Sequence, residues 1–138
     1  MVRVEVLQRR LRKLDEYLEI LRRLQRYSFE EFIRDAERYG SAERFLQLAI
    51  EALLDMGNHI IADLNLGEVR WYSDIPTILA ERAGLDPDLK EKWIRMIGFR
   101  NVLVHEYLDL DRRIVYEILQ SGLEDFERLR RFFASFLQ

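Results

Sequence analysis

Eight consecutive residues, Arg100-Asn101-Val102-Leu103-Val104-His105-Glu106-Tyr107, gather an arginine, a histidine and a tyrosine in a chain with only two histidines and two tryptophans. A guanidinium grips phosphate as a planar fork, and imidazole is the side chain that moves protons near neutral pH. On a helix each residue advances about 100°. Asn101 and His105, four apart, therefore stack on one face, and Arg100 and Tyr107, seven apart, share the adjacent one. The result is a polar ridge two side-chain columns wide, with Val102 turned away from it and expected in the core. An Asn one turn before a His can hydrogen-bond the ring and fix its tautomer. Arg100 can neutralise a phosphate whose ester the imidazole protonates or deprotonates. These residue types in this arrangement point to chemistry on a phosphodiester.

A second polar stripe lies upstream. Glu51, Asp55 and His59 succeed one another at intervals of four, with Asn58 alongside and Arg44 about two turns before on nearly the same face. One His with two acids and no Cys is a weak metal signature, so no metal and no cofactor are expected. The stripe reads as lining an interface between copies or supporting the ridge from across a cleft. Simpler readings stand beside these. Arg100 can pair with Glu106 or Asp111, His105 can be a structural histidine, and Tyr107 can be a half-buried core tyrosine with a wet hydroxyl.

The elements that must position these residues are all helical. Only two prolines and six glycines punctuate 138 residues, and apolar positions recur at helical spacing almost throughout. The expected architecture is all-α, a five- to six-helix up-and-down bundle in one domain spanning residues 1–138. A first helix from about Val4 to Tyr27 carries Leu7, Leu11, Leu14, Leu18 and Leu21, a seam with steps of three and four. It reads as intramolecular core, with its arginines on a solvated face. Ser28-Phe29-Glu30-Glu31 is a capping box opening a short helix that Gly40 stops. Ser41 is expected to cap a long helix ending at Asn65-Leu66-Gly67. Asp74 caps a short helix with Pro76 in its first turn and Gly84 at its end. Asp86-Pro87 opens the motif helix, which runs to about Leu108, and Asp109 or Asp111 caps the next. Ser121-Gly122-Leu123-Glu124 reads as a break before a last helix, or as the interior of one continuous helix.

Composition bounds the rest. A hydrophobic fraction of 49% is enough for a core, and a charged fraction of 34% is enough to solvate its outside. The absence of cysteine excludes disulfides and thiolate metal sites and fits a cytoplasmic location. No uncharged stretch is long enough to span a membrane, and the charged N-terminus is not a secretory signal. A net charge of −3 argues against a general electrostatic nucleic-acid binder but leaves room for a local cationic cleft.

The motif Arg-Asn-x-x-x-His-x-Tyr on the penultimate long helix of a small all-α domain resembles the HEPN superfamily, and within it the HepT-like toxin branch with its Arg-x4-His-x-Tyr. Ser41 to Ile61 is similar to that family's second conserved helix, as are Gly98 to Tyr107 followed by Asp111. The likeness covers most of the chain. It implies a metal-independent ribonuclease acting as a homodimer, with the cleft between two motif helices. Arg100 and His105 would be catalytic and Asn101 the polar residue after the arginine. Tyr107 would be the tyrosine that a partner minimal nucleotidyltransferase, the antitoxin of a type VII-like pair, silences by AMPylation.

Under that reading the expected reaction is attack of the ribose 2′-OH on the neighbouring phosphorus. One imidazole does not readily serve both ends of an in-line displacement, and a two-fold pair supplies two. Arg70, Trp71, Tyr72, Arg112 and Arg113 can hold RNA by charge and stacking, although Trp71 can equally plug the core under its loop. A second function class is a non-catalytic helical subunit that binds a nucleotidyltransferase and a nucleotide or other substrate. A third is a structural adaptor.

Overall fold

A computed structural model describes residues 1–105 and 110–138 of the chain. Tyr107, Glu106, Asp109 and the end of the motif helix near Leu108 lie outside the described residues. Those described form seven α-helices and a closing 3-10 turn, with no strand: α1 (Val4–Leu24), α2 (Phe29–Arg34), α3 (Ala36–Asp63), α4 (Asp74–Arg82), α5 (Pro87–His105), α6 (Arg112–Ser121), α7 (Leu123–Ala134) and the turn Ser135–Leu137. The all-α class is as expected, with one or two helices more than the five or six anticipated. No described helix is long and apolar enough to cross a membrane.

The leucine seam of α1 does what its spacing predicts. Leu7, Leu11, Leu14, Leu18 and Leu21 are all buried, and their main partner is α3. The two helices run antiparallel, since Arg3 meets Asp63, Arg10 meets Asp55 and Tyr17 meets Phe45. Helix α5 lies against another side of α3, also antiparallel, with Trp93 over Gly57 and Arg100 beside Glu51. Helix α3 is thus the floor on which α1 and α5 are both laid.

Capping chemistry sets most boundaries. Ser28 and Glu31 form the reciprocal capping box. Asp86 accepts the Leu89 N–H at 3.1 Å with Pro87 in the first turn, and Asp111 accepts the Arg113 N–H at 2.9 Å. Gly84, at φ 78°, takes the left-handed turn after α4.

Three boundary expectations need correction. Helix α3 begins at Ala36, not at Ser41: the Asp35 carboxylate accepts the Glu37 N–H at 2.9 Å, so Gly40 lies inside the helix. That cap precedes an unbroken helical pattern, and a single interior glycine is tolerated at roughly 1 kcal/mol relative to alanine. At its other end the helix stops at Asn65-Leu66-Gly67 as expected, with Asn65 left-handed at φ 52° and Leu66 N–H bonding back to the Ile61 carbonyl at 2.9 Å. Asp74 is the first residue of α4 rather than its cap, and its carboxylate turns back onto the loop. The break at Ser121-Gly122 is real, but without a capping box: Ser121 donates to the Glu117 carbonyl, and Gly122 is the junction.

Gly57 is buried where α3, α4 and α5 converge. A Cβ there would stand 2.4 Å from Ile75 Cγ2 and 3.2 Å from the Trp93 ring. At Gly40 a Cβ would meet nothing within 4 Å. Gly57→Ala is therefore expected to lower unfolding free energy by about 1–3 kcal/mol, and Gly40→Ala to raise it by about 0.5–1 kcal/mol. Urea titration of the two variants beside the wild type measures both signs.

Candidate functional site

The motif helix divides its polar residues between two sides. Its buried positions are Leu89, Trp93, Ile97 and Leu103, and Arg100 belongs to that inward stripe. Arg100 is accordingly mostly covered, with a side chain 15% exposed. Asn101, Val102 and His105 lie on the outer side and are exposed. Val102 is thus not a core residue as expected. The helical register puts Leu103 into the core and leaves Val102 about 100° around.

A guanidinium on an inward stripe needs a carboxylate, and α3 supplies it. Arg100 Nε and Nη2 both donate to Glu51 Oε2, at 3.1 and 3.0 Å, and Nη1 donates to Asn101 Oδ1 at 3.2 Å. Arg100 also sits over the Tyr72 ring, 5.1 Å from its centroid. Three of the five guanidinium N–H bonds are spent on position, which leaves two for a phosphoryl oxygen. The partner of Arg100 is Glu51, not Asp111. Gln47 donates to the same Glu51 oxygen at 3.2 Å, and Arg44 donates to Gln47 at 3.4 Å. The expected line from Arg44 to Glu51 therefore exists, through a glutamine the sequence reading passed over.

The stripe continues toward the far end of α3. Asp55 pairs with Arg10 of α1. His59 Nδ1 faces Arg3 Nη2 at 3.0 Å, while its Nε2 stands 3.4 Å from Arg10 Nη2 and 3.8 Å from Asp55. A neutral imidazole has one acceptor nitrogen, so it can accept from only one of the two arginines at a time. Burial, then Arg10 and Arg3, hold the His59 pKa below its ordinary 6.5. Each member of the Glu51–Asp55–His59 stripe thus faces an arginine.

Between α1, α3 and the start of α4 opens a cleft of about 680 Å³. Arg9, Arg10 and Lys13 form its α1 side, Glu51, Asp55 and Asn58 its polar floor, and Tyr72 and Arg100 its far edge. Asn101 and His105 are outside it. The loop before α4 is held by Asp74, which accepts the N–H groups of Arg70 and Trp71 at 2.9 Å each. Those two bonds push the Asp74 carboxyl below its ordinary pKa. Trp71 is 73% exposed, which removes the core-plug alternative. Arg112 stacks 3.9 Å from the Tyr39 centroid and reaches Glu43 at 3.5 Å, away from the cleft. The cationic residues of α1 are the ones sequence reasoning missed, having taken that helix's arginines for a solvated face. Arg9 and Lys13, one turn apart and flanking the leucine seam, were the available signal.

A helical bundle with Arg100 and His105 on one helix is the fold of a HEPN domain, as the solved relatives show. The tri-AMPylated HEPN toxin of Shewanella oneidensis, solved in complex with MNT antitoxin, shares the fold at a TM-score of 0.87 and 26% identity, over 98% of this chain and 99% of that one. The chain belongs to the family described as Ribonuclease HepT-like, which matches residues 14–132, and as a member it is a ribonuclease. The tRNA nuclease HepT of Aphanizomenon flos-aquae is 28% identical over 132 residues, 96% of this chain and 90% of that protein. The mRNA nuclease HepT of Shewanella oneidensis is 35% identical over 98 residues, 71% of this chain and 74% of that protein.

Glu51→Ala frees Arg100 from its anchor. RNA cleavage is expected to fall by on the order of 10- to 100-fold, while Glu51→Asp restores part of it; initial rates and far-UV circular dichroism of both variants test this. For His59 the neutral form is favoured in the folded protein. The unfolded chain takes up its proton near 6.5 and the folded protein only at lower pH, so the contribution is complete above that value and is lost as pH falls through the folded midpoint. His59→Asn should flatten the decline of the urea midpoint between about pH 7 and pH 5, and the wild-type imidazole should titrate below 6.5 by NMR.

Proposed function

We propose that the protein is the RNA-cleaving toxin of a type VII-like toxin–antitoxin pair, a metal-independent endonuclease that works as a homodimer. The observation that carries this reading is the split of the motif across α5. Arg100 and His105 are five residues apart, which turns them about 140° from one another, and only Arg100 lines the cleft. A single copy offers the two groups to different sides. The outer stripe of α5, Gly98, Asn101, Val102 and His105, is exposed. A two-fold contact along it sets the histidines of both copies in one groove, which each Arg100 meets from the edge of its own cleft.

In that groove the reaction is an in-line transesterification. One His105 removes the 2′-OH proton as the 2′ oxygen bonds to phosphorus. The bond from phosphorus to the 5′ oxygen breaks, and His105 of the second copy protonates the departing oxygen. Arg100 carries the charge building on the phosphoryl oxygens with its two remaining N–H bonds. The products are a 2′,3′-cyclic phosphate and a 5′-hydroxyl. Such a site needs no metal, because the guanidinium supplies the electrostatic stabilisation and the imidazoles move the protons.

A partner minimal nucleotidyltransferase would silence the toxin at Tyr107. The tyrosine oxygen bonds to the α-phosphorus of ATP, pyrophosphate leaves, and the attached AMP adds a bulky anion that competes with RNA for the site. The AMPylated, antitoxin-bound state of the Shewanella oneidensis HEPN toxin supports this reading.

The test is RNA cleavage by purified protein in EDTA, with Tyr107 shown to be unmodified by mass spectrometry. Cleavage that leaves 2′,3′-cyclic ends and drops by at least about 10³-fold in His105→Ala is the expected result. No cleavage of structured or unstructured RNA by unmodified, dimeric protein would overturn it in favour of a non-catalytic subunit that docks a nucleotidyltransferase.

A further inference from the structure

The protein carries a net charge of −3, yet the cleft beside Arg100 is lined by four cations and two carboxylates. The pairing within it is uneven. Glu51 is committed to Arg100 and Asp55 to Arg10. The excess positive charge is therefore that of Arg9 and Lys13, both exposed on α1. Arg9 makes no ion pair among the described residues. Lys13 has only Glu16, at 3.3 Å with both side chains 61% exposed, a contact of the kind that contributes little. The two cations stand one helical turn apart, about 6 Å along the axis.

The rest of the cleft suits a nucleotide strand. Leu48, Ala52 and Ile75 give it an apolar floor, and the ring of Tyr72 lines its edge beneath Arg100. Trp71, the residue before Tyr72 in the chain, is not part of the cleft's lining but is the most exposed large aromatic of the described residues. Spaced cations beside stacking surfaces are what single-stranded nucleic acid requires. Cations set one turn apart beside a ring favour unpaired nucleic acid, since a base-paired helix presents no free base to stack.

We propose that Arg9 and Lys13 on α1 form a phosphate-binding track that holds unpaired RNA and leads it to Arg100. The track deepens the ribonuclease reading and rests on it: bound there, the strand runs along the α1 wall and enters the groove at the fixed guanidinium. Neither residue touches the reacting atoms. Their contribution is to affinity, so they act on KM and leave kcat in place.

The experiment measures binding of a short, 5′-labelled, unpaired oligoribonucleotide by fluorescence anisotropy, in a His105→Ala background that leaves the RNA intact. Arg9→Gln/Lys13→Gln is compared with Arg12→Gln/Arg23→Gln, which removes the same charge from outside the cleft. The track variant is expected to bind about 10-fold more weakly near 0.1 M salt, with the slope of log K against log salt reduced by about 1.4, two phosphates at about 0.7 each. The control should change neither by more than about 2-fold. Equal losses in both variants, or equal affinity for a perfect duplex, would overturn the proposal. Cleavage assays in the His105-bearing protein separate the two readings. If it cleaves RNA and the track variant keeps its KM, the track is wrong and the ribonuclease stands. If it cleaves nothing while the track variant alone loses binding, the track stands and the catalytic reading fails.

Discussion

Helix α3 is packed on nearly every side, and that crowding governs the rest of the molecule. Within its 28 residues, ten are buried, from Ala42 to Ile61, and it touches α1, α2, α4, α5, α6 and α7. A helix enclosed this way can keep polar residues only along seams between its neighbours. The seam between α1 and α5 is where Gln47, Glu51, Asp55 and Asn58 emerge, at steps of four, four and three. The same seam is the floor of the cleft. Gly57 makes the arrangement possible by letting Ile75 and Trp93 close onto the α3 backbone.

The carboxylates of that seam act on their neighbours' arginines. Glu51 holds Arg100 from α5, and Asp55 holds Arg10 from α1. Each pair ties a flanking helix to the floor and fixes a guanidinium in a defined place. Arg100 gains most, since it sits on the inward stripe of α5, where an unpaired charge would be strongly disfavoured. Its rigidity follows from a packing requirement, and a rigid, half-covered donor facing a cleft is what stabilisation of a phosphoryl anion demands. The acidic overall balance of the protein and its cationic cleft are therefore compatible. The acids that would cancel the cleft's field are consumed by structural pairs.

The outer side of α5 has the opposite character. Gly98, Asn101, Val102 and His105 have no core to satisfy, and a Cβ on Gly98 would meet nothing within 4 Å. The helix thus presents one anchored arginine inward and one open histidine outward. Under the proposed homodimer, this division lets one His105 from each copy make up a two-histidine site.

Legible in the sequence alone were the helical class, the leucine core of α1, the Ser28, Asp86 and Asp111 helix starts, and the candidate residues Arg100, Asn101 and His105. These are local matters of periodicity, capping geometry and residue type, all written in neighbouring positions. It was misleading where two local signals competed, as when Asp35 outweighed Gly40-Ser41, and where face assignment rested on a single residue, as at Val102. Only the tertiary structure decided that Glu51 is the partner of Arg100, 49 positions away. Only it turned Arg9 and Lys13 from a solvated face into the wall of a cleft. Which charges meet depends on how three helices lie across one another, and that is fixed by the burial of apolar surface along α3. No spacing within a single helix encodes it.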